Sequence, residues 1–234
     1  MHQRPQAPAR MNDRGNRRPS FWYRNGLSLA LLALFIATLT GQVVSGHQVS
    51  NDNLAEHGMA PISLLDYLSS GAFFSATFEN WESEFLQMGM YVLMTTRLRQ
   101  WGSAESHPLA GASESAPQAT PYSLKPWPVR RGGWWLKIYE NSLSLAFFAL
   151  FGLAFVAHLI GSWREHLEEL RLHGGAEVSL STYVTDAQFW FQSLQNWQSE
   201  FLAVLALVVL TIFLRQKGSP QSKPVDAPHG RTGE

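Results

Sequence analysis

Leu27 to Gly46 reads LSLALLALFIATLTGQVVSG, about 20 residues without a charge, enough for a helix to cross a hydrocarbon core of about 30 Å. Leu143 to Trp163, LSLAFFALFGLAFVAHLIGSW, repeats that pattern with one histidine inside it. Phe201 to Leu214, FLAVLALVVLTIFL, is uncharged for only about 14 residues, short for a span on its own. The preceding FWFQSLQNWQSE extends the helical pattern back to about Ala187, and its Phe189, Trp190, Phe191 and Trp197 are of the type found at membrane interfaces. Phe85 to Leu98, FLQMGMYVLMTTRL, is the weakest of the four, because it holds Gln87, two threonines and Arg97.

Self-comparison strengthens the weak segment. Sliding the chain by about 116 residues aligns Asn25 to Pro108 with Asn141 to Pro224 without a gap, and about 31 of the 84 pairs are identical. NGLSLALLALF faces NSLSLAFFALF, and TRLRQWGSAESHP faces IFLRQKGSPQSKP. The second segment is the aligned copy of the fourth, so it inherits a span that its own hydropathy only half supports. The copy also removes a rival reading, in which Met1 to Gly46 is a cleaved signal peptide: an internal twin starting at Asn141 cannot be one. The expected fold class is an all-α integral membrane protein, four transmembrane helices from a tandem parallel repeat of a two-helix unit.

Charge adds a direction. Arg4, Arg10, Arg14, Arg17, Arg18 and Arg24 precede the first span, six Lys and Arg residues separate the second from the third, and Arg215, Lys217, Lys223 and Arg231 follow the fourth. Only Arg164 and Arg171 fall elsewhere, in loops that are otherwise rich in Asp and Glu. The positive-inside rule then puts both termini and the central loop in the cytoplasm and orients the two copies alike. The expected divisions are a disordered tail over 1–20, a first membrane repeat over 21–108, a flexible linker over 109–132, a second repeat over 133–218 and a disordered tail over 219–234. Trp127, Trp134 and Trp135, just before the third span, fit cytoplasmic interface anchors.

Composition excludes more than it proposes. The formal net charge is +0 and there is no cysteine, so the charge balance gives no sign of nucleic-acid binding and there can be no disulfide, thiolate metal site or cysteine nucleophile. No GxSxG, P-loop or strand-borne GxGxxG is present, and the expectation is a protein without enzymatic activity, cofactor or metal. His57-Gly58 and His173-Gly174 recur beside acidic residues. Their spacing suits a helix end with glycine in the left-handed region better than a metal site.

The candidate chemistry lies in ENWESEFLQ and its copy QNWQSEFLA. At about 100° per residue, Asn80, Glu84 and Thr95 share one face of the second span, and Asn196, Glu200 and Thr211 repeat it in the fourth. Ionisable groups at membrane depth normally face the bundle and find partners. Depth alone suggests Gln42 with Glu84 and, in the copy, His158 with Glu200. Two readings follow: interhelical glue, or part of a proton or cation path.

The stretches RNGLSLALLALF, SGHQVSNDNLAEHG and FENWESEFLQMGMYVLMTTRLRQWGSAESHP resemble a bacterial family of small four-span membrane proteins classed only as a domain of unknown function, over Phe21 to about Pro224. The resemblance implies a multi-pass protein of the bacterial cytoplasmic (inner) membrane and carries no activity with it. The expected function is a non-enzymatic structural or assembly component of the cell envelope. The alternative is a small proton- or cation-linked transporter or channel subunit using Glu84 and Glu200. The lipid bilayer is the expected partner, together with a second copy or another membrane protein.

Overall fold

The computed structural model describes residues 20–107 and 121–232. Among them the chain is helical throughout, with no strand. The elements are α1 (Phe21–Glu56), α2 (Leu64–Leu68), α3 (Gly71–Thr95), a single 3-10 turn (Tyr122–Leu124), α4 (Trp127–Arg131), α5 (Gly133–Glu140), α6 (Ser142–Leu172), α7 (Leu180–Tyr183) and α8 (Ala187–Phe213). Three of them, α1, α6 and α8, are long and apolar enough to cross a membrane. α3 is not among these three, since Glu79, Asn80, Glu82, Glu84 and Gln87 interrupt its apolar run.

Two compact units divide the chain at Val49. The first is the greater part of α1, apolar through LSLALLALF and held internally by Thr38, Thr40 and Ser45, whose hydroxyls bond back to the carbonyls of Leu34, Ile36 and Gly41. Such back-bonding satisfies a hydroxyl where no water is at hand.

The second unit, from Ser50 onward, is built around α3 and α6. Short polar side chains start its helices: Ser63 and Asp66 form a reciprocal capping box on α2, while Ser70, Ser179 and Asp186 accept from the first turns of α3, α7 and α8. Gly58 (φ +70°) and Gly174 (φ +68°) follow the ends of α1 and α6 in the left-handed region, as the His-Gly pairs predict.

Two glycines set the distance between α3 and α6. A Cβ on Gly161 would lie 2.6 Å from the backbone nitrogen of Ser75, and one on Gly71 would lie 2.8 Å from the carbonyl oxygen of Gly161. The two backbones therefore touch, as small residues allow between membrane helices. Gly71 meets residues 161–165 and Gly89 meets Phe147 and Phe148, so α3 and α6 run antiparallel. α8 runs alongside α3 in the same direction, from Asn196 against Glu79 to Thr211 against Ser103.

Two expected divisions differ from what is found. Residues 1–19, 108–120, 233 and 234 lie outside the described residues, which leaves most of the N-terminal tail and the first part of the linker there. The rest of the linker is not structureless, because Tyr122–Leu124 and α4 are ordered turns and the Tyr122 hydroxyl donates to the Arg130 carbonyl at 3.0 Å. The tail after Gly218, expected to be disordered, is clamped by Lys223, which is 1% exposed. Its ammonium donates to the carbonyls of Gly102, Ile212 (3.3 Å), His229 (2.8 Å) and Arg231 (3.0 Å). Burial, with Arg215 and Arg231 nearby, lowers its pKa below the usual lysine value. The carbonyls, one of them at the C-terminal end of α8, offset that cost.

Gly161→Ala should destabilise the protein by about 2 kcal/mol, since the new Cβ meets backbone and not a movable side chain. Gly152→Ala, which would meet nothing within 4 Å, should stay within about 1 kcal/mol of the parent. Denaturant titration in detergent micelles measures both.

Candidate functional site

Glu82 is completely buried on α3, and so is His158 on α6. Glu82 Oε2 lies 3.0 Å from His158 Nδ1. Its other oxygen, Oε1, accepts from Trp197 Nε1 of α8 at 3.0 Å. The indole can only donate, so the Oε1 end is fixed as an acceptor. The proton of the pair then sits between Oε2 and Nδ1, and a carboxylate facing an Nδ1–H imidazole satisfies both groups.

Local sequence explains why this arrangement forms. Ser162 closes its hydroxyl onto the His158 carbonyl at 2.8 Å, and Gly161 next to it draws α3 near enough for a glutamate to reach the ring. On α8, Phe189, Ser193 and Trp197 are spaced four residues apart and so share a face. Phe189 packs its ring 5.3 Å from that of His158. Phe155 on α6 and Tyr183 on α7 both pack on Phe189, with ring separations of 5.7 and 5.8 Å. Burial, aided by the carboxylates of Glu165, Asp186 and Glu79 and opposed by Ser162, raises the Tyr183 pKa, so its hydroxyl stays protonated.

Two polar atoms at this centre have no hydrogen-bond partner among the described residues, His158 Nε2 and Ser193 Oγ. Buried polar atoms are normally satisfied. Ser193 differs in this from Ser83, Ser162 and Ser199, whose hydroxyls bond back to their own helix. A neutral imidazole with Nδ1–H toward a carboxylate leaves a lone pair on Nε2, which can take a proton or accept from a water molecule.

The expected pairing of His158 needs correction. His158 bonds Glu82 and not Glu200, and Glu84 is exposed. Neither the Glu84 nor the Glu200 carboxylate makes a hydrogen bond or ion pair among the described residues. The cause is angular: Glu82 precedes Glu84 by two residues, about 200° around the helix, so burial of one exposes the other.

Of the polar stripe, Asn196 donates to Glu79 and Thr211 shares a hydrogen bond of 3.0 Å with Ser103. Asn80 and Thr95 only bond back to their own helix, at Ala76 and Tyr91. Gln87 reaches the Glu200 carbonyl at 3.4 Å. These contacts make a polar seam between α3 and α8, with the Glu82 centre toward the N-terminal ends of the two helices.

Glu82 and Trp197 were not among the expected site residues, although the sequence carries a signal for the first. Gly71, Ser75, Glu82 and Gly89 share one face of α3 by their spacing of four, seven and seven residues. That small-residue face is the one that must pack closely. No group of three or more His, Asp or Glu side chains arranged to hold a metal occurs among the described residues.

Residues 18–234 match a family described as Domain of unknown function (DUF6766), and the chain belongs to it. No functionally curated protein matches the chain. No solved structure matches it.

Glu82→Gln should cost about 2 kcal/mol or more of stability, as expected when a buried charge-assisted hydrogen bond loses one partner. Glu84→Gln, on the exposed face, should change it by no more than about 0.5 kcal/mol. Unfolding of both variants in lipid bicelles provides the comparison.

Proposed function

We propose that this family member is a four-span protein of the bacterial cytoplasmic membrane, two parallel hairpins with both termini in the cytoplasm. Its role is that of a non-enzymatic structural or assembly component of the cell envelope. The observation that carries this reading is Glu82, a buried carboxylate whose two oxygens are taken by donors from α6 and α8. Such a group ties three helices together and leaves no carboxylate oxygen open for a substrate.

Four spans are supported by the way α3 buries its polar side. Hydropathy undervalues a helix whose glutamate faces protein, and 25 residues of helix reach about 37 Å, more than a hydrocarbon core. Duplication is supported by local details that recur 116 residues apart. Arg99 Nη1 bonds the Thr95 carbonyl and Arg215 Nη1 the Thr211 carbonyl, each at 3.3 Å. Gln100 N donates to Ser106 Oγ at 2.9 Å and Gln216 N to Ser222 Oγ at 2.8 Å.

A second reading, a proton- or cation-linked transporter or channel subunit, is favoured by the buried His158 Nε2 and Ser193 Oγ, which have no hydrogen-bond partner among the described residues. Under it the proton carrier is the Glu82–His158 pair, and Glu84 and Glu200 are dispensable. Four helices leave little room for a pore, so this reading calls for an assembly of copies or another membrane protein.

The absence of cysteine makes single-cysteine labelling a clean test of topology. Four spans predict that Gly58→Cys and Gly174→Cys react with an impermeant maleimide from outside intact cells, and that Glu105→Cys reacts only after lysis. Outside labelling of Glu105→Cys would show that α3 does not cross. Proton flux in liposomes separates the two roles. The structural reading predicts none above protein-free vesicles, whereas flux lost in folded His158→Gln and kept in Glu84→Gln would install the transport reading in its place.

A further inference from the structure

The segment leading into α6 carries an exposed cation that is stacked but not paired. The Arg131 guanidinium lies over the Trp127 ring at 5.3 Å and over the Trp135 ring at 5.6 Å, and the two indoles meet edge to face at 5.3 Å. Gly132 (φ +69°) and Gly133 (φ +59°) provide the bend that folds α5 back so that Trp135 can reach Trp127; both conformations are ones that side-chain-bearing residues rarely adopt. The two indoles hold the guanidinium by cation–π attraction. Arg131 makes no hydrogen bond or ion pair among the described residues.

Its surroundings are of one sign. Lys125, Arg130, Arg131 and Lys137 lie between residues 121 and 140 against a single acid, Glu140, and none of these cations is in an ion pair among the described residues. Trp134 is 74% exposed and Leu124 72%, so apolar surface alternates with the cations. α6 begins at Ser142, immediately after this segment, and opens directly into its apolar run. Indoles and cations at that place sit at headgroup depth when α6 crosses a bilayer.

We propose that the Trp127–Arg131–Trp135 stack is a binding site for the phosphate of an anionic phospholipid, with Lys125, Arg130 and Lys137 holding the lipid's net negative charge. What suits phosphate is the planar fork of an arginine held between two indoles, because its paired donors match two phosphate oxygens. The charge complementarity selects an anionic headgroup over a zwitterionic one. The inference rests on α6 being a membrane helix.

The test is native mass spectrometry of the full chain in detergent micelles, titrated with phosphatidylglycerol or phosphatidylcholine. Wild type should bind phosphatidylglycerol several-fold more tightly. Arg131→Gln should lower that affinity about fivefold, the contribution of one such cation, and weaken phosphatidylcholine binding less, so that the preference between the two lipids shrinks. Arg131→Lys should fall between, because lysine keeps the charge without the planar edge. Arg164→Gln, at the other end of α6, should match wild type. Equal affinity for the two lipids, or an Arg131→Gln variant with the wild-type preference, overturns the proposal. A chain that stays monodisperse without detergent overturns the membrane reading as well.

Discussion

A carboxylate without water has to find its donors within the protein, and Glu82 finds them on two other helices. The Nδ1 of His158 and the Nε1 of Trp197, each 3.0 Å from one of its oxygens, fix α3 relative to α6 and α8 at once. The requirement is stringent because an ion left unpaired in such a place costs several kcal/mol. It reaches back to Gly71 and Gly161, without which the α3 and α6 backbones could not approach. It reaches forward to Phe189, which packs on the histidine ring and seals it from α7.

The same centre accounts for a helix that hydropathy leaves ambiguous. α3 carries Glu79, Glu82 and Gln87 on faces that meet α6 and α8, so its polarity is spent on interhelical bonds, in keeping with the polar glue known between membrane helices. At the opposite end of the seam, Ser103 and Thr211 join the helices, and the Lys223 ammonium draws the carbonyls of Gly102 and Ile212 together. Between these two ends Gln87 reaches the Glu200 carbonyl at 3.4 Å. The structure is thus fastened at both ends by buried polar groups of different kinds, a hydrogen-bonded carboxylate at one and a tethered ammonium at the other.

Much of this was legible in the sequence where the signal is periodic. Uncharged runs located α1, α6 and α8, and the comparison of the chain with itself pointed to a helix at α3. His-Gly pairs marked two helix ends. What stayed hidden was the identity of the buried acid, because Glu84 and Glu200 are identical in the two halves and carry the stronger pattern. The acid that is buried aligns with Gln198 and its histidine with Gln42, so the pair occupies two positions at which the halves differ. Depth placed His158 at the right level but could not say which helix faced it. The Lys223 clamp was hidden for another reason: a segment of Gly, Ser and Pro reads as disorder, and capture of its lysine by distant carbonyls leaves no local pattern.

The central claim is that Glu82 and His158 act as one unit across α3 and α6. A double-mutant cycle tests it most directly, with Glu82→Gln, His158→Gln and the double variant unfolded under identical bicelle conditions. The account predicts a coupling energy of about 1.5 kcal/mol or more, within the range found for residues that share one network. Costs that simply add, to within about 0.5 kcal/mol, would show that the two residues are buried side by side without holding the helices together.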